Sequence, residues 1–192
     1  MKHRMNRDNF ICQLEQSELL RVVLEKGGDL RLPDWYVGAG AVCQTIWNFK
    51  HGYDPIAFIE DIDLVYFDEV NDSKADEQAQ ADAAAQLFGQ LPVPIEVTNQ
   101  ARVHQWYAAE FGFEIPPYRS TDDAISTWPT TASSIGIGRL ADGSLRICAP
   151  FGLADIESMV VRPNKRLVTQ SIYESKAHKW KQRWPKLTVI DW

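Results

Sequence analysis

The stretch Glu60-Asp61-Ile62-Asp63-Leu64-Val65-Tyr66-Phe67 decides how the chain is read. Ile62 to Phe67 is rich in β-branched and aromatic residues and flanked by acids, the pattern of a strand. Side chains at i and i+2 of a strand share a side, so Asp61 and Asp63 project together, about 7 Å apart. Two carboxylates that close raise each other's proton affinity unless a cation lies between them. Hard oxygen donors with no sulfur or imidazole nearby favour Mg2+ or Mn2+. Taken alone, an Asp-x-Asp at a strand's start is also readable as a merely solvated pair.

Upstream, Trp35-Tyr36-Val37 reads as a short strand, Gly38-Ala39-Gly40 interrupts it, and Ala41 to Phe49 has helical character. The small residues Gly38, Ala39, Gly40 and Ala41 let backbone approach a ligand, and a helix N-terminus favours a phosphate. A tight strand-to-helix turn accounts for them equally well. Downstream, Ser73 to Phe88 is an acidic, alanine-rich helix, and Pro92 to Val97 is a short strand carrying Glu96 between apolar neighbours. A third acid on a neighbouring strand would complete a three-carboxylate cage.

Further out, Asn9 to Lys26 carries apolar residues at helical spacing and Gly27-Gly28 ends it. A helix follows from about Gln100 to Phe111, and Glu114 to Tyr118 is a proline turn. Ser120 opens a capped turn, with Asp123 at the position that completes a capping box. Ser134 to Arg139 and Leu145 to Ala149 flank Ala141-Asp142-Gly143-Ser144, a hairpin signal. A short helix after Phe151, a break at Arg162-Pro163-Asn164 and a last helix near Val168 to Arg183 complete the chain. Strands and helices alternate without a regular βαβ rhythm. The expected fold is α+β, a mixed sheet with helices packed on it and a C-terminal α/β extension, in one domain over residues 1–192.

With 192 residues, 45% of them hydrophobic and 24% charged, the chain has the composition of a packed globular protein and excludes wholesale disorder. A net charge of −6 makes the whole molecule a poor match for a nucleic-acid backbone. Locally, Arg162 to Lys186 holds eight basic residues against the single acid Glu174, which reads as a solvated helical face or as an attraction for a polyanion such as RNA. Three scattered cysteines, Cys12, Cys43 and Cys148, suggest neither a disulfide framework nor a structural zinc site and point to a reducing compartment. No apolar run follows the basic Met1 to Arg7, and no stretch approaches a membrane span, so a cytoplasmic protein is expected.

A small-residue turn, then an Asp-x-Asp strand, then a single acid on a further strand resembles the DNA polymerase beta-like nucleotidyltransferase superfamily. More specifically, Gly38–Asn48 (GAGAVCQTIWN), Asp61–Asp68 (DIDLVYFD), Ile95–Tyr107 (IEVTNQARVHQWY), Thr127–Thr131 (TWPTT), Ala149–Gly152 (APFG) and Val161–Asn164 (VRPN) resemble a bacterial family of nucleotidyltransferase-like proteins. The similarity runs from about Trp35 to Trp192. It implies that Asp61 and Asp63 are the paired metal-binding acids, that Glu96 is the third carboxylate, and that Gly40 with Ala39 and Ala41 lies against the triphosphate. Two departures stand out. Ala41 follows the glycine where a Ser would offer a hydroxyl, and the gap to Asp61 is longer than usual.

The resemblance implies a metal-dependent transfer of a nucleoside monophosphate from an NTP donor. The acceptor is left unidentified, with a small hydroxylated molecule, a protein side chain and an RNA end all open, and pyrophosphate is expected to leave. The alternative is a non-catalytic nucleotide-sensing or partner-binding module on the same fold. A nuclease or phosphatase would want further ligands or a nucleophile. Among the remaining polar residues, Arg102 has the guanidinium fork to meet a phosphate, or else pairs with an acid such as Glu110. Asn99, His104 and Arg139 are weaker candidates. Trp47, Trp106, Trp128, Trp180 and Trp184 sit among apolar neighbours and read as core rather than base-stacking residues. Cys43 reads as a small buried hydrophobe.

Overall fold

The computed structural model describes residues 7–140 and 142–192. Its elements run α1 (Arg7–Glu15), α2 (Glu18–Lys26), β1 (Tyr36–Gly38), α3 (Ala39–His51), β2 (Ile62–Tyr66), α4 (Lys74–Phe88), β3 (Ile95–Asn99), α5 (Val103–Phe111) and α6 (Thr121–Ile125). They continue with β4 (Gly136–Arg139), β5 (Leu145–Cys148), α7 (Ala154–Glu157), β6 (Val160–Val161), α8 (Gln170–Arg183) and β7 (Thr188–Val189). Strand order in the main sheet is β3-β2-β1-β4-β5. Within this sheet, among the described residues, only β2 and β3 pair in parallel, joined by the α4 crossover. The sheet is therefore mixed, as expected.

Two rows of side chains across this sheet explain the fold. Ile147, Ile137, Val37, Leu64 and Val97 are successive register partners. They face one way and join the main core with Phe10, Leu14, Leu20, Val23, Ile46 and Trp47 from α1, α2 and α3. The next row, Cys148, Gly136, Gly38, Asp63 and Glu96, has the opposite facing, because strand side chains alternate. The second face is covered more thinly. A cluster of Val103, Tyr107, Ile115, Tyr118 and Ala124 lies there with a smaller one of Tyr36, Val65 and Ile125.

The C-terminal helix is locked to α3. Trp47 meets Trp180 and Trp184 edge-on, at 5.1 and 5.6 Å between ring centroids. Asn48 is fully buried, donates to the carbonyls of Pro55 and Ala57 at 3.2 and 2.7 Å, and accepts Trp184 Nε1–H at 2.7 Å. A buried amide needs these partners, since each unmet group costs about 1–3 kcal/mol.

Several boundaries differ from the sequence reading. The single helix expected over Asn9–Lys26 is two, because Ser17 caps α2, its hydroxyl accepting Leu20 N–H. Gly27 does not stop the chain in a left-handed turn. It begins a 3-10 turn, Gly27–Leu30, and the left-handed residue is Arg31, with φ 54°. The strand expected at Pro92–Val97 starts at Ile95, since Pro92 and Pro94 have no N–H to give a ladder. Ser120 does accept Asp123 N–H, but the Asp123 carboxylate takes the N–H of Arg119 instead of closing a capping box. The β4–β5 hairpin forms, with Gly143 at φ 84°, while Ala141 of its turn lies outside the described residues. The short parallel pair β6–β7 had no visible strand signal. Among the described residues no helix is long and apolar enough to cross a membrane.

Candidate active site

Asp63 is the second residue of β2, with Gly38 opposite it on β1 and Glu96 opposite it on β3. Gly38 of the small-residue turn, Asp63 of the acid pair and the third acid Glu96 therefore fall on one row of the sheet, with Asp61 just before it. Burial pushes the Asp63 carboxyl up to about 6, the nearby charges of Asp61 and Glu96 add to this, and Lys176 opposes it. Asp61 and Asp63 open into a cleft of about 510 Å³ that Gly40 and Gln44 border on one side and α8 on the other. Glu96 stands next to Asp63 in register but is exposed and borders neither this cleft nor the cavity beside it. Among the described residues no three acidic, histidine or cysteine side chains converge into a closed ligand set.

That donor set fits Mg2+ or Mn2+ of one kind. Mg2+ keeps several waters and commonly takes one or two carboxylates together with substrate phosphates, so two carboxylates in an open cleft suit it. A cage made wholly of protein ligands is absent among the described residues.

The turn serves two purposes. A Cβ on Gly38 would lie 2.5 Å from the Trp128 ring, so only glycine lets that ring close over the strand end. Ala39 follows at φ 50°, a conformation that costs a non-glycine residue about 1 kcal/mol or more, and its N–H is held by the Ile135 carbonyl at 3.1 Å. Gly40 and the side chain of Gln44, in the first turns of α3, face the cleft. Cys43 is buried and its thiol, pushed up to about 12 by burial, donates to the Gly40 carbonyl.

Arg102 is elsewhere. It is buried and ion-paired with Glu77 on α4, whose other oxygen accepts Asn99 N–H at 2.8 Å. It borders neither cavity at Asp63 and ties α4 to the end of β3, its acidic partner being Glu77 where the sequence suggested Glu110. Asn99 is likewise structural: its amide oxygen accepts Asp68 and Ala101 N–H, and its NH2 donates to the Asp68 carbonyl. Arg139 holds the Gly143 carbonyl in the hairpin, and His104 borders neither cavity.

A second cavity of about 250 Å³ shares Asp63 and Lys176 with the cleft. Val65 and Thr98 line its sheet side, and Trp106, Tyr107, Phe111, Tyr118 and Trp128 supply aromatic walls, a shape able to take a planar ring. Trp47, Trp180 and Trp184 are buried core residues as expected, but Trp106 is 38% exposed and borders this cavity. Sequence reading also missed Lys176. Its only signal was helical spacing with Ile172 and Lys179 in the basic stretch. That stretch is not a free basic face: Lys179 and Arg183 pair with Glu60, Arg162 with Asp155, and Arg166 donates to Ser126. Arg183 and then Lys179 pull the Glu60 carboxyl down to about 2.

Acids at the start of a central strand, a glycine turn leading into a helix beside them and a mixed sheet make up a fold known from other proteins. Two solved structures share it. One, whose NMR structure reveals a CCA-adding enzyme head domain, aligns over 97% of each chain with a TM-score of 0.79 and 24% identity. The other, a CCA-adding enzyme in complex with ATP, aligns over 98% of this chain and 43% of its own, with a TM-score of 0.51 and 15% identity. No protein of curated function matches the sequence. Residues 26–189 match the nucleotidyltransferase family, and the chain belongs to it.

Proposed function

We propose that the chain is a metal-dependent nucleotidyltransferase that moves a nucleoside monophosphate from an NTP to an acceptor hydroxyl and releases pyrophosphate. The observation that carries this reading is the register row Gly38–Asp63–Glu96, with Asp61 and Gly40 opening into the same cleft as Asp63. Bound Mg2+ or Mn2+ would neutralise the triphosphate and polarise its α-phosphoryl group. Asp61 and Asp63 would hold the cation, and Gly40, which borders the same cleft in the first turn of α3, lets the backbone approach the phosphates. Glu96, the register partner of Asp63 at the edge of the site, would take the hydroxyl proton as the new oxygen–phosphorus bond forms and the α–β bridging bond breaks. The aromatic cavity that shares Asp63 and Lys176 with the cleft receives the base of the donor.

A non-catalytic nucleotide-binding module is the second reading, favoured by Ala41 in place of a hydroxyl residue and by the exposed position of Glu96 outside the cleft. Calorimetric titration of ATP, GTP, CTP and UTP with Mg2+, into wild type and an Asp61→Asn/Asp63→Asn variant, tests both. Metal-dependent binding of a nucleotide, lost in the variant, supports a nucleotide site on these acids. Pyrophosphate release with a hydroxyl acceptor then separates enzyme from module. A folded protein that binds none of the four overturns both readings.

A further inference from the structure

The acids form one wall of the cleft, and the wall opposite belongs to α8. Ser171, Ser175, Lys176 and Lys179 line it from successive turns of that helix. The cations there are not equivalent. Lys179 and the more distant Arg183 are consumed by Glu60, at 2.6 and 2.5 Å. Lys176 has no carboxylate within 4 Å among the described residues, and its ammonium rests over the Trp180 ring at 5.2 Å. It is also at the junction of the two cavities, bordering both with Asp63 and Ile172. An ammonium near Asp63 but in direct contact with no carboxylate among the described residues is a charge able to meet an anion as well.

We infer that α8 is the polyphosphate-holding wall of this site, with Lys176 and the Ser175 hydroxyl binding the β- and γ-phosphates of a metal–NTP and the pyrophosphate that follows. The inference rests on the nucleotidyl-transfer reading. It assigns the phosphate grip that Ala41 cannot supply to a helix more than 120 residues away in sequence. The ligand class follows from the two walls together. A bare anion would face Glu60, Asp61 and Asp63, whereas a polyphosphate carrying its divalent cation satisfies the acids on one side and the ammonium on the other.

The test is calorimetric binding of Mg2+–pyrophosphate and of the NTP that wild type binds, with circular dichroism melts as the folding control. Lys176→Met weakens both ligands about tenfold or more, the loss expected for a charge-assisted contact. Lys176→Arg restores most of it. Ser175→Asp, at an exposed position that folding does not need, also weakens both by repulsion. Lys74→Met, which removes the same charge from the exposed start of α4, changes neither. If Lys176→Met does not fold, Ser175→Asp decides alone. Wild-type affinity in a folded Lys176→Met or in Ser175→Asp overturns the inference, and it leaves the function standing if Asp61→Asn/Asp63→Asn still abolishes binding. A wild type that binds neither ligand overturns both.

Discussion

Replacing Asp63 by Asn should make the metal-free protein more stable at neutral pH. The carboxyl keeps its proton up to about pH 6 in the fold, against an ordinary value of 3.8, because ionisation there means an unsolvated charge beside Asp61 and Glu96. The folded chain therefore binds more protons than the unfolded one between those two values, and stability falls as pH rises through that window. Below about pH 3.8 the penalty is absent, and above about pH 6 it is complete. A displacement of about two units, at 1.36 kcal/mol each, sets an upper limit of about 3 kcal/mol. For a chain of this size that is roughly 5–10 °C in Tm. Urea unfolding in the presence of a chelator at pH 3.5, 5 and 7.5 measures it. Wild type and variant should agree at pH 3.5, and the variant should lead by about 1–3 kcal/mol at pH 7.5. Added Mg2+ should close the gap by stabilising wild type alone. A variant less stable than wild type at pH 7.5, or a difference that does not change with pH, would refute the reasoning.

Arg102→Met leaves the Glu77 carboxylate half-buried without its partner and should cost about 3–5 kcal/mol by urea unfolding. NTP affinity of the folded variant should stay at the wild-type level, and a large selective loss would return Arg102 to the site. Asn48→Ala strips the Trp184 indole and two carbonyls of their buried partner, so it should cost about 2–4 kcal/mol and lower Tm with α3 and α8 loosened together. Trp106→Ala should weaken NTP binding by about 1–3 kcal/mol and leave Mg2+–pyrophosphate binding unchanged, because only the base reaches the aromatic cavity. Equal weakening of both ligands would place the phosphates there instead.

How much of this was legible beforehand depends on how local the cause is. The β2 strand, the turn at Gly38–Ala41 and the helix after it follow from side-chain alternation and small residues within a few positions of each other. The boundary errors at Ser17 and Ile95 arose where one capping hydroxyl or two prolines outweighed a good apolar pattern. Arg102 was misplaced for a different reason. Its partner Glu77 is twenty-five residues away on a crossover helix, and no spacing rule connects them.

The amino-acid sequence by itself determined the order of turn, acid pair and third acid, and with it the family to which the chain belongs. Alternation along one strand is enough to set Asp61 and Asp63 on one side. Tertiary structure alone decided that Gly38 and Glu96 lie in register with Asp63, since strand pairing depends on contacts across long loops. It also decided which cation meets the acids. Eight basic residues of the C-terminal stretch look alike in sequence, and only the docking of α8 through Trp180 and Trp184 onto Trp47 turns Lys176 toward Asp63 while Glu60 occupies its neighbours.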